Sequence, residues 1–588
     1  MARYKEYGYD IKDGVGIIPE WETEIKEDAF KWCKELKRID IPQWVKKIGK
    51  RTFWGCLNLK ALTLPEWLEE IGENAFQNCS CLEEITLPRW TKKIGHGAFQ
   101  GCSNLTSITI PLSVIEIGRV VFCRCQKLTS ITVSKENMVY DSREDCNAII
   151  HTESNTLIRG CKNTVISPSV TKIGDCAFFG CSNLTSISIP PSVTKIGGRA
   201  FRGCSSLASI TVSKENKVYD SREDCNAIIH TESNTLICGC KNTIIPLSVT
   251  EIGNSAFDGC SSLTSISIPP SVTKIGDCAF EDCSSLTSIS IPPSVTEIGE
   301  DAFSGCSSLT SISIPPSVTE IGPGAFMGCS SLTSISIPPS VTEIGDCAFS
   351  GCSSLTSISI SPSVTEIGDC AFSGCSNLTI ISIPSSVTEI GDSAFSGCSN
   401  LTIISIPPLV TKICESTFED CSSLTSVTIS QSVTEIGNWA FSDCSSLTSL
   451  SIPTSVTMIG NSAFDGCSSL TSISIPPSVT EIGNWAFSGC SSLTSISIPP
   501  SVTKIGDEVF YNCDKLCDTV ILPSVTSLGE NVFGCDNDSS YNDEYDYDYD
   551  NPSYGRYAGS YAQDVEGWSD NDIDDVFDGD PDAYWNID

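Results

Sequence analysis

Cysteine and histidine are the side chains best suited to metal, redox or nucleophilic chemistry, and this 588-residue sequence holds 33 of the first and 3 of the second. Nineteen cysteines, from Cys33 to Cys513, each lie three residues after a phenylalanine. Like side chains stacked on parallel strands point the same way, whereas a disulfide needs converging Cβ vectors, so the spacing predicts a ladder of small buried groups. A second column, Cys176, Cys278, Cys347 and Cys370, stands five residues before its ladder cysteine. Zinc sites favour pairs two to four residues apart with histidine nearby, and the only histidines are His96, His151 and His230. No metal and no cofactor is expected. One disulfide arrangement does suggest itself. Pairing Ile150 with Leu157 across the HTESN turn sets Cys146 opposite Cys161, and the same turn further along sets Cys225 opposite Cys240.

Catalysis finds no foothold. The sequence has no phosphate-binding loop, nucleophile elbow or zinc-protease motif in a usable context, and its many Ser and Cys lack a unique neighbouring base. His151 and His230 occupy equivalent turns of a duplicated segment, as solvated loop residues do. An active site needs unlike groups converging in one pocket, and here most positions are copied with their surroundings, so the protein is expected not to be an enzyme. The net charge of -36 excludes nucleic acid, whose phosphates need a basic surface. No run of about 18 apolar residues exists to insert in a membrane, and MARYKEYGYDIKDG lacks the apolar core of a secretory signal.

The elements that must carry these residues follow from one period. The marker phenylalanines run Phe30, Phe53, Phe76, Phe99, Phe122, then Phe178 and Phe201, then every 23rd residue from Phe257 to Phe533. The two irregular gaps are each one period plus 33 residues, and the inserts at 134–166 and 213–245 differ at three positions, so a 79-residue block has been duplicated. Within one repeat Leu309, Ile312 and Ile314 alternate as a short strand that Pro315 stops; Val318 to Ile321 reads as a second extended piece. Gly322 punctuates, and GAFMGCS is long enough for one helical or 3₁₀ turn. A lone coil cannot bury its apolar side, since ordering costs about 1–2 kcal/mol per residue and each buried aliphatic or aromatic side chain returns only about 1.5–3. Coils must therefore stack.

The frame L-x-x-I-x-I-P-x-S-V-x-x-I-G-x-x-A-F-x-x-C, as in Leu309 to Cys329, resembles the BspA-like leucine-rich repeat over about residues 15–535. The inserts resemble that family's hairpins between coils. The resemblance implies a right-handed leucine-rich superhelix of about 20 coils, with short parallel strands and short helical turns. It also implies surface adhesion or protein binding without catalysis. A protein partner of unknown identity and a monomeric chain are expected. The thiol count points to a reducing compartment and the resemblance to the cell surface; both stay open.

Outward-facing columns are then the candidate contacts. Trp21, Trp44, Trp67 and Trp90 recur every 23 residues where later repeats have Ser, and suit either a partner contact or a cover for the terminal coil. Glu297, Glu320, Glu343, Glu366 and Glu389 form an acidic stripe, with Asp346, Asp369 and Asp392 beside it. It reads as a solvated face or as an attraction for a basic partner or loosely bound cations. Columns such as Ser311 and Ser313 keep the sheet soluble, or alternatively make the protein a structural one that binds a polymer such as glycan. Residues 1–14 form an N-terminal segment and 15–535 the solenoid. From 536 to 588 seventeen acidic residues accompany one Arg, which predicts a disordered tail.

Overall fold

The computed structural model describes residues 3–516, 518–520 and 525–533. The chain is a β-solenoid of about 22 turns, built as two compact units, Met1–Thr319 and Glu320–Asp588. The acidic tail expected at 536–588 lies outside the described residues. Among the described residues no helix is long and apolar enough to cross a membrane.

Each coil follows its hydrophobic alternation. Ser288–Ser290 and Ser311–Ser313 run exposed, buried, exposed, so a period of two puts the isoleucine inside. A two-residue strand follows, such as Glu297–Ile298, again with its isoleucine buried. In the first unit these strands pair in parallel with their equivalents 23 residues on, Ser288 with Ser311 and Lys274 with Glu297. In the second unit Ser334 pairs with Ser357 and Glu343 with Glu366. The glycine after the second strand is required by closeness. A Cβ on Gly72 would lie 2.6 Å from the Gly49 carbonyl carbon, and one on Gly368 2.7 Å from the Asp346 amide nitrogen.

The segment expected to be a short helical turn is a hydrogen-bonded turn instead. The residue two before the phenylalanine has φ of 53° at Arg51, Cys347 and Trp485, a left-handed value that breaks a helix. The amides so released reach the next coil: Phe53 N donates to Ala75 O at 2.8 Å and Phe349 N to Ala371 O at 2.9 Å. The described helices are Arg3–Glu6 and the 3₁₀ turns Arg143–Asp145 and Arg222–Asp224. Phenylalanine rings stack along the core, 5.1 to 5.7 Å apart from Phe30 to Phe122 and 5.3 to 5.8 Å apart from Phe326 to Phe533.

The N-terminal end of this core is closed by residues ahead of the first tryptophan. Tyr4 and Tyr9 lie flat on Phe30 at 5.8 and 5.6 Å. The hairpin Asp10–Lys12 and Val15–Ile17 adds its second strand in parallel to Arg38–Asp40.

Each insert supplies a further coil. Asn137 is buried, its Nδ2 donating to the Pro111 and Val114 carbonyls at 2.8 and 3.0 Å and its Oδ1 accepting from the Val139 and Tyr140 amides. Ala148–His151 then runs antiparallel to Thr156–Gly160, which pairs in parallel with the next repeat. Ile150 faces Leu157, as the sequence predicts, but a bulge makes Ile149 face Arg159 and Ala148 face Gly160. That one-residue slip carries Cys146 past Cys161, and the same slip at Ile228/Ile229 parts Cys225 from Cys240. The two expected disulfides are therefore absent and all four residues are free thiols. Cys161 Sγ donates to Asn147 O at 3.3 Å and Cys240 Sγ to Asn226 O at 3.4 Å.

Candidate functional site

The tryptophan column stands outside the core because each indole lies two residues after a proline, Pro19, Pro42, Pro65 or Pro88, in the turn that leaves the coil's first extended segment. Trp21 is 80% exposed, Trp44 65%, Trp67 48% and Trp90 38%. Trp67 and Trp90 stack at 6.1 Å and 9°, and the Arg89 guanidinium lies 5.0 Å from the Trp90 ring. Glu20, Gln43, Glu66 and Arg89 immediately precede the four indoles. A shallow groove of about 330 Å³ beside them is lined by Gln43, Leu62, Leu64, Glu66 and Pro88. Two further tryptophans were not singled out by spacing: Trp54 is buried, with Trp32 5.9 Å away and Lys31 Nζ 5.1 Å from its ring. Gly55, at φ 69°, makes room for this pair, since a Cβ there would lie 2.2 Å from the Trp32 ring.

The acidic stripe divides by unit. In the first, Glu297 pairs with Lys274 Nζ at 2.6 Å. In the second, Glu343, Glu366 and Glu389 sit in register, and Ile321 beside Glu320 pairs with Ile344. Burial pushes the Glu366 carboxyl above its ordinary value, and Glu343 and Glu389 push it further. The neighbouring aspartates act within the fold: Asp346 Oδ1 accepts the Asp369 amide at 2.8 Å and Asp369 Oδ1 the Asp392 amide at 2.7 Å.

Between its half-buried ends, Cys33 and Cys513, the cysteine ladder is buried, as the spacing predicts, but it is not merely apolar. In the regular coils the thiol donates to the carbonyl of the phenylalanine 26 residues earlier, Cys56 to Phe30 at 3.0 Å and Cys375 to Phe349 at 3.2 Å. Burial holds these thiols protonated, pushing Cys102 up to about 12. In the second cysteine column Cys347 and Cys370 hydrogen-bond each other, which lowers the Cys370 value. The turn histidines serve local structure, His151 Nδ1 lying 3.0 Å from Ser154 Oγ and His230 Nδ1 3.0 Å from Ser233 Oγ.

Two buried arginines escaped the sequence reading, because nothing in a repeat pattern marks a single substitution as interior. Arg202 Nε lies 3.1 Å from Asp258 Oδ1, and its Nη2 lies 2.9 Å from Glu281 Oε1 and 3.3 Å from Asp282 Oδ2. Burial raises the Asp258 and Glu281 carboxyls, and Arg202 opposes it. These three carboxylates are close enough to share a cation, a role the guanidinium already fills. Arg159, 4% exposed, donates to three backbone carbonyls in two neighbouring turns.

Comparison with known proteins places this architecture. A family model described as a BspA type leucine rich repeat region (6 copies) matches residues 23–147, 158–237, 229–352, 319–448 and 434–542. A leucine rich cell surface protein from Faecalibacterium prausnitzii A2-165 is 31% identical over 60% of this chain and 88% of its own, with a TM-score of 0.40. A leucine-rich repeat protein from Bacteroides ovatus ATCC 8483 is 23% identical over 89% of this chain and 97% of its own, TM-score 0.27. The pneumococcal vaccine antigen PcpA is 19% identical over 80% and 85%, TM-score 0.26. No curated protein matches significantly. With well over half of its length matched by the family model, the chain belongs to the BspA-type leucine-rich repeat family.

Proposed function

We propose that the protein is a non-enzymatic scaffold that binds another protein through Trp21, Trp44, Trp67 and Trp90. The observation that carries this reading is their exposure, 80% to 38%, in coils whose apolar end is already closed by Tyr4 and Tyr9. Exposed large apolar side chains in one column are what a partner-binding patch offers, because indole joins a large apolar area to a polar N–H. The groove beside them and the mixed charges of Glu66 and Arg89 supply the polar rim such a contact needs.

The test begins with crosslinking capture by the intact chain and identification of the partner. Affinity is then measured calorimetrically for the native chain and for the double variant W44S/W67S. A loss of tenfold or more with an unchanged urea midpoint supports the reading. Equal affinities overturn it.

A further inference from the structure

The duplicated block offers an internal comparison, since residue n of its first copy corresponds to n + 79 of its second. Backbone positions agree: Gly160 N donates to Ala177 O at 2.9 Å, and Gly239 N to Ala256 O at 2.7 Å. The strand registers agree as well, Leu157 pairing with Ile173 and Leu236 with Ile252.

Each insert interrupts the thiol ladder at the same point. In a regular coil the phenylalanine carbonyl accepts from a ladder thiol in the next coil, but Cys181 and Cys260 lie after the inserts and turn to Gly160 O and Gly239 O at 3.7 and 4.0 Å. Phe122 O in the first copy and Phe201 O in the second therefore lose that donor. In the first copy Arg159 replaces it. Its Nη2 donates to Phe122 O at 2.7 Å and Phe179 O at 2.8 Å, its Nη1 donates to Cys176 O at 3.1 Å, and Cys181 Sγ lies 3.8 Å from Nη2. One buried guanidinium thus satisfies three carbonyls.

In the second copy the residue at this position is Cys238, one of the three differences between the inserts. Its short side chain turns to Gly239 O at 3.5 Å. The counterparts of the four groups around Arg159 are Phe201, Ser255, Asp258 and Cys260, and all four line a cavity of about 460 Å³ together with Cys238. Among the described residues its three carbonyls accept backbone bonds, from Cys204 N to Phe201 O, Asp258 N to Ser255 O and Gly203 N to Asp258 O. A carbonyl oxygen has two lone pairs, so each has one to offer.

We propose that this cavity is a binding site for a guanidinium cation, held by the Phe201, Ser255 and Asp258 carbonyls as Arg159 is held by their counterparts. Five N–H donors in a planar fork match three converging carbonyls, whereas an ammonium has three donors about a point. Charge favours it too. Asp258 and Glu281 are both buried beside Arg202, with Arg199 acting on them more weakly, and Asp258 Oδ2 and Glu281 Oε2 have no hydrogen-bond partner among the described residues. Glu251 adds a carboxylate to the lining, while Arg199, also lining, donates to Cys278 Sγ at 3.7 Å. Exposed Ser233 and Asn254 in the lining show where a ligand enters. The proposal is independent of the tryptophan column.

The test uses the full chain and guanidinium chloride at 1–20 mM, far below denaturing concentration, with sodium chloride and urea as controls. Calorimetry of the native chain should show saturable binding of one equivalent and a matching rise in unfolding temperature. Affinity should fall at least tenfold in C238R, which supplies the missing side chain, and in C238L, which fills the space without donors. R159C should create a second site. A capped arginine binding as tightly as guanidinium assigns the site to an arginine side chain of a partner; guanidinium binding alone assigns it to a small guanidino compound. Absence of saturable binding by the native chain, as when water alone fills the cavity, overturns the proposal. So does equal binding by C238L.

Discussion

The thiol of Cys375 donates to the carbonyl oxygen of Phe349, 3.2 Å away in the preceding coil, and that oxygen also accepts the amide of Cys352 in its own coil. The ladder residue is thus both packing and hydrogen bond. C375A removes a donor from a buried carbonyl and leaves a small void, a loss of about 1–3 kcal/mol. C375S keeps a donor and should lose less. Urea midpoints followed by amide exchange in these coils check the order; C375A more stable than C375S would mean the thiol acts only as a spacer.

Alkaline pH should unfold the chain through the same ladder. Burial pushes Cys102 up to about 12, whereas an unfolded thiol ionises near about 8.5. The folded value is the raised one, so the stability it represents is fully present below about pH 8.5 and is lost as pH rises toward 12. Each such thiol contributes a slope of up to about 1.4 kcal/mol per pH unit. The urea midpoint should hold to pH 8.5 and fall steeply by pH 10, less steeply in C102A. A midpoint that stays level to pH 10 contradicts this.

Trp21 and Trp54 should respond oppositely to truncation. W54A empties a buried site between Trp32 and Lys31 and should cost about 3–5 kcal/mol. W21A removes a side chain that is 80% exposed and should change stability by no more than about 0.5 kcal/mol. Denaturant titration of the two variants decides; comparable losses would make the exposed column structural.

R202M strips Asp258 and Glu281 of their guanidinium and should cost about 3–5 kcal/mol at pH 7. Burial already raises both carboxyl values, and removing the arginine raises them further. An acid raised in the folded state lends stability at low pH that is lost as pH rises through its folded value. The deficit of R202M should therefore shrink from pH 7 to pH 5. Denaturation midpoints at both pH values test this, and a deficit that grows on acidification refutes it.

Glu366 faces Glu343 and Glu389 in register, two like-charge pairs on one sheet face. E366K turns both into attractive pairs, and a gain of about 0.5 kcal/mol is expected at low salt. Screening should remove most of it in 0.5 M sodium chloride. Thermal melts at the two ionic strengths measure the difference; a loss at low salt would show that the stripe is held by something other than its own charges.

A 23-residue period was enough to establish the solenoid, because one coil cannot bury Leu309, Ile312, Ile321 and Phe326 unless an identical coil covers them. It was enough, too, to place the serine columns outside, the ladder cysteines inside and the tryptophans in one file, since each lies at a constant offset from the marker phenylalanine. What the period cannot express is where one copy departs from another. The bulge between Ile149 and Ile150 separates Cys146 from Cys161 by a single residue that no pairing rule foretells, because a bulge is chosen by how the hairpin must twist to meet the next coil. The left-handed turn before each phenylalanine, which replaces a helical one, is set by amides reaching across to the neighbouring coil. Arg202 among its carboxylates, and Arg159 where the second copy has only Cys238 beside a cavity, depend on residues up to 80 positions apart. Sequence alone determined what stacks on what, through the cost of exposed apolar area. Tertiary structure decided which buried polar groups find partners, because that depends on distances between coils that no single repeat contains.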